Sequence, residues 1–184
     1  AANHDQVQIG RLVIEQELRT QQSLKKSASP AEKQWKVQRS IPLAPSQRHI
    51  GFLGRYSNEA SAAFNESIVL SLRGTLDGPA LQTAVETVGE RYEALRTALN
   101  PDSNSLDVGT GEPLKLDVTP ITTGELQQKL GEIITRPFET GKRLFRAELL
   151  RLSDSEHVLA LVGHALLLEL ESLAHVLEEI AGLY

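Results

Sequence analysis

The chain contains no cysteine and no methionine among its 184 residues. The absence of cysteine excludes disulfides, thiolate nucleophiles and thiolate metal sites together. Aromatic residues are sparse, with three Tyr, four Phe and one Trp. They suffice for a core and supply no stacking platform for bases. There is no excess of positive charge, because 19 Lys and Arg face 24 Asp and Glu for a formal net charge of -5. Phosphate binding wants a basic face, and these basic residues are interspersed with acids, so no nucleic-acid partner is expected. No apolar run approaches the roughly 20 residues needed to span a bilayer, and the first residues have neither the basic start nor the apolar stretch of a signal peptide. No membrane partner is expected, and a cytoplasmic location is the default expectation. Neither GxGxxG nor a Walker-type GxxxxGKS/T sequence occurs, which leaves no phosphate loop. No Ser or Thr stands with a His and an acid at recognisable spacing, so a hydrolase triad is unsupported. His175 lies at helical spacing from Glu171 and Glu179. That set binds a metal in principle, but a solvated helix face is the more ordinary reading, and no metal or directly bound cofactor is expected.

The length suits one domain of ordinary size with a tail. Residues 6–19 place Val7, Ile9, Leu12, Val13, Ile14 and Leu18 on a helical stripe, which predicts a short helix that must dock elsewhere to be stable. Residues 1–20 are therefore expected to be a docking element or the end of an upstream domain. Residues 21–40, rich in Gln, Ser and Lys with Pro30 and only Trp35 as a large anchor, read as a linker. Residues 41–184 form the domain proper. In it, Pro45 opens a helix to about Tyr56, and residues 67–74 alternate Ile68, Leu70 and Leu72 as a strand. Asp77, Gly78 and Pro79 open a helix expected to reach Leu99 through Leu81, Val85, Val88, Tyr92 and Leu95. Residues 101–113 read as turns, 114–121 as a strand, 123–135 as a helix, and 144–152 and 156–168 as two further strands. A last helix, with Ser172 as its expected N-cap, carries Leu173, Val176, Leu177, Ile180 and Leu183. The order β, α, β, α, β, β, α predicts an α/β fold, a two-layer sandwich of a mixed β-sheet with helices on one face.

The stretch from His157 to Tyr184, HVLALVGHALLLELESLAHVLEEIAGLY, delivers His164 to a strand end beside a loop and a helix. It resembles the HHxxxDG signature of nonribosomal peptide synthetase condensation domains, of the chloramphenicol acetyltransferase-like superfamily. His164 falls on the first His, Ala165 on the second, Glu169 on the Asp and Leu170 on the Gly. Three further stretches carry the resemblance in the same order: IPLAPSQRHIGFL at 41–53, ERYEALRTAL at 90–99 with Tyr92 at a His position, and RPFETGKRLFRAELL at 136–150. All belong to the first of the family's two lobes, so the chain is read as the amino-terminal lobe of that fold.

The resemblance implies a site in a tunnel between two lobes, where a carrier-tethered thioester meets a tethered amine. Expected partners are acyl or peptidyl carrier proteins, the second lobe and a docking partner for the N-terminal helix. The phosphopantetheine arms belong to the carriers. The family's second His serves the reaction, and a methyl group at position 165 neither moves a proton nor stabilises charge. His164, on the generally structural first His, stays open between a core histidine and a weak catalytic candidate. Glu169 replaces an Asp that pairs with an Arg, here Arg96 or secondly Arg91, against a solvated alternative. Leu170 in place of Gly disfavours positive φ. The expected function is a condensation-type domain impaired in amide formation that holds or gates carrier-bound intermediates. The alternatives are an active acyltransferase and a non-catalytic docking module for a carrier or tailoring enzyme.

Overall fold

The computed structural model describes residues 36–110 and 113–184. The helix expected over residues 6–19 lies outside them. In chain order the elements are β1 (Lys36–Pro42), α1 (Pro45–Tyr56), α2 (Asn58–Ala62), β2 (Asn65–Arg73), α3 (Gly78–Arg91), β3 (Thr97–Leu99), β4 (Ser105–Thr110), β5 (Leu116–Pro120), α4 (Leu126–Thr135), β6 (Phe145–Arg151), β7 (Glu156–His164) and α5 (Leu170–Leu183). Single 3-10 turns cover Glu93–Arg96 and Thr123–Glu125.

Within Glu156–His164 the run Val158–Val162 is apolar at every position, the composition of a strand covered on both faces. β7 accordingly lies inside a four-stranded sheet of order β2-β7-β6-β5, antiparallel except for the parallel β5–β6 pair. Leu159 and Leu161, with Ala147 and Leu149 of β6, pack against α3 and α5. Val158, Ala160 and Val162 face the other way, onto Ile133 of α4 and Leu43, Leu99 and Leu106. The mixed-sheet α/β fold is as expected, but the helices divide between the two faces. A strand apolar at consecutive positions leaves two faces to cover, and α4 covers the second.

β1, β4 and β3 form a separate antiparallel three-stranded sheet in the order β1-β4-β3. None of these three strands falls where the sequence suggests one, β3 taking the end of an expected helix. β1 replaces the last part of the expected linker, and β4 lies within the stretch read as turns. Inside β4 the buried Asp107 carboxylate accepts from Ser40 Oγ at 2.6 Å and Asn100 Nδ2 at 2.7 Å. These bonds satisfy a charge that burial alone would penalise.

α3 begins as expected, with Asp77 Oδ1 accepting from the Ala80 N–H at 3.0 Å. It ends earlier than expected. Tyr92 turns extended at φ -107 and ψ 113, and Thr97–Leu99 pairs with β4 as strand. The helical spacing of Leu95 and Leu99 is thus met by a 3-10 turn and a strand. Similarly, α5 starts from Glu169 rather than Ser172, with no side-chain cap. Gly163 faces α5 closely: a Cβ there would stand 2.9 Å from Leu168 Cβ and 3.2 Å from Leu173 Cδ2. The absent side chain lets the motif loop and α5 lie down on the sheet.

Candidate functional site

β7 ends at His164, and its register against Asn65 places the imidazole beside the end of α2. The ring is buried at 2% exposure. Its Nδ1 accepts from the Leu166 N–H at 3.1 Å. The ring proton therefore sits on Nε2, which donates to Ser61 Oγ at 3.0 Å. Phe64 and Phe138 flank the ring at centroid distances of 6.1 and 6.2 Å. Burial pushes the His164 pKa down, and the hydrogen bond at Ser61 pulls the other way. This is a neutral imidazole with both nitrogens engaged, a geometry that supports position more readily than proton transfer.

The loop after it is wound on His164. The N–H groups of Leu167 and Leu168 donate to the His164 carbonyl at 2.9 and 3.0 Å, and the Ala165 N–H donates to the Phe64 carbonyl at 2.8 Å. Gln47 of α1 donates to the Leu166 carbonyl at 2.9 Å. Ala165, half-buried, brings no functional group to this frame. Leu170 is the first helical residue of α5 and is 54% exposed.

The structure does not bring Glu169 and Arg96 together. Arg96 donates to the Gly109 carbonyl at 2.9 Å, to Gln38 at 3.2 Å and to Glu93 at 3.4 Å, all on the side of the three-stranded sheet. Arg91, the second expected partner, pairs with Glu179. Glu169 is exposed, and among the described residues no ion pair involves it. Elsewhere in the lobe, Glu148, its side chain 6% exposed, pairs with Arg136, whose side chain is 53% exposed. Beside it, Arg146 lies 4.2 Å over the Phe138 ring and donates to the Ile133 and Arg136 carbonyls at 2.7 and 2.5 Å. Burial first, then the neighbouring Arg136, lowers its pKa to about 10, against the opposing pull of Glu148. It stays cationic at neutral pH.

A second feature lies on the α3 and α5 side. A recess of about 400 Å³ opens between the Tyr92–Leu95 segment, Leu167–Leu168 and the first half of α5. Neither His164 nor Ala165 lines it. At its rim the Tyr92 hydroxyl is 3.2 Å from His175 Nε2, with the rings edge-to-face at 5.8 Å. Among the described residues no group of three or more His, Asp or Glu could hold a metal ion, and no helix is long and apolar enough to cross a membrane.

The sequence pattern marks His164 but not Ser61, Phe64 or the recess. Ser61 lies 103 residues away in the chain, within a five-residue helix. No local pattern marks it. Tyr92 did carry a signal, standing at a His position in the resemblance drawn from the sequence.

The two-sheet fold, with a histidine closing the central strand before a loop and helix, defines a chloramphenicol acetyltransferase-like lobe. A family model for the Condensation domain matches residues 37–184, and the chain belongs to that family. Chondramide synthase cmdD of Chondromyces crocatus is 31% identical over 154 residues, covering 78% of this chain and 4% of that protein. Surfactin synthase subunit 1 of Bacillus subtilis (strain 168) is 28% identical over 160 residues, or 86% of this chain and 4% of that protein. The chain thus spans a small part of these relatives. Among solved structures, the X-domain in its complex with OxyB from teicoplanin biosynthesis matches with a TM-score of 0.70 at 30% identity, over 85% of this chain and 35% of that one. The starter condensation domain of the rhizomide synthetase RzmA matches with a TM-score of 0.67 at 16% identity, over 78% of this chain and 36% of that one, and speaks for the fold alone.

Proposed function

We propose that this lobe belongs to a condensation-type domain of a nonribosomal peptide synthetase or hybrid polyketide line, and that it handles carrier-tethered thioesters without forming the amide. The observation that carries this reading is Ala165 at the position where the family uses an imidazole, next to a His164 whose two ring nitrogens are already engaged. With no titratable group at 165 and none free at 164, an attacking amine finds no imidazole base in the motif. The work left to such a lobe is to hold or gate intermediates on the phosphopantetheine arms of carrier proteins, together with the second lobe. Loss of a positioned acid or base commonly lowers rate on the order of a hundredfold or more.

The test is amide formation by the full-length protein with donor and acceptor loaded on their carriers. The native protein is expected to give no amide above a control lacking it. Amide at an ordinary turnover rate would overturn the reading. Ala165→His separates the two non-catalytic roles. A gain of about a hundredfold supports an intact tunnel and hence holding or gating; no gain favours a surface repurposed for docking.

That second role, recruitment of a tailoring enzyme, is favoured by the similarity to the X-domain, whose structure was solved with OxyB bound. Binding of the lobe to a tailoring enzyme acting on the same carrier-bound intermediate, undiminished by Ala165→His, is the outcome that supports it.

A further inference from the structure

The recess between Tyr92, the motif loop and α5 has the make-up of a small-molecule site. Its floor is apolar, formed by Ala94, Leu95, Leu167, Leu168 and Val176. Its volume of about 400 Å³ suits one aromatic ring or branched alkyl group with a short polar head. The polar rim is asymmetric. Tyr92 and His175 satisfy each other through their 3.2 Å contact. Glu171, exposed in the first turn of α5, has no hydrogen bond or ion pair among the described residues. The nearest basic groups by sequence are committed elsewhere, Arg91 to Glu179 and Arg96 to Gly109, Gln38 and Glu93.

A whole carboxylate charge outweighs the roughly half charge of opposite sign at the helix N-terminus. The rim is therefore net negative above an apolar floor. We propose that this recess binds a small apolar ammonium compound, with its aryl or alkyl body on Leu95, Leu168 and Val176 and its ammonium group on the Glu171 carboxylate. An anion of the same shape meets an unpaired carboxylate and is disfavoured. The site is independent of any chemistry at position 165, so failure of amide formation leaves this binding unaffected.

The probes are 2-phenylethylamine and 3-phenylpropionate, which share a ring and differ in charge, titrated into the isotope-labelled full chain and followed by NMR. The amine is expected to bind about fivefold tighter than the carboxylate, with amide shifts centred on Leu167, Leu168 and Val176. Glu171→Gln should weaken the amine about fivefold and bring the two probes level. Asp154→Asn, exposed in the turn between β6 and β7 and outside the lining, should change neither. Equal binding of both probes, shifts centred elsewhere, or no binding of the amine up to about 20 mM overturns the proposal.

Discussion

His164 is tied to the scaffold through both ring nitrogens, to Ser61 and to the Leu166 N–H. The folded ring takes a proton less readily than the unfolded one, whose ordinary value is 6.5. Unfolding therefore takes up a proton between those two values, and stability rises with pH across that window. The contribution is fully present above 6.5 and is lost as pH falls through the lowered folded value. Urea titrations of native protein and His164→Gln at pH 7.5 and 5.5 check this. The native chain should lose more stability on acidification than the variant, and equal losses would remove the argument. The position of His164 was readable from a strand-length apolar run ending in His. Its partner was not, because Ser61 becomes a neighbour only after β2 has paired with β7.

At the scale of elements, Gly163 decides how closely α5 and the motif loop approach the sheet. Gly163→Ala puts a methyl group 2.9 Å from Leu168 Cβ, a position near the backbone that no rotamer change clears. The expected cost is about 1–3 kcal/mol in chemical denaturation. Elements with strong local signals were legible in the sequence: α1 behind Pro45, the start of α3 at Asp77, and the apolar run of β7. Those defined by pairing were not. Lys36–Pro42 is exposed throughout and shows no alternation, yet it is held by β4. Leu95 and Leu99 continue the spacing of α3, but the backbone gains more by giving Thr97–Leu99 to β4 than by another helical turn. The Glu169–Arg96 expectation failed for a related reason. Arg96 lies on the 3-10 turn that precedes this strand, and its guanidinium follows the turn toward Gly109.

For the molecule as a whole, burial is graded outward from β7. That strand is hydrogen-bonded on both sides and covered on both faces, whereas β1 is exposed along its length. Native-state hydrogen exchange should show the β7 amides opening last, near the global unfolding free energy, and the β1 amides opening at least about 2 kcal/mol sooner. Uniform protection across both sheets would contradict this gradient. The outer margin of the larger sheet has its own consequence. β2 runs for nine residues beside β7, Val69 and Leu70 are 40% and 39% exposed, and no described strand lies on its other side. Such a margin is a template for intermolecular strand pairing, a route to self-association that net charge alone does not describe.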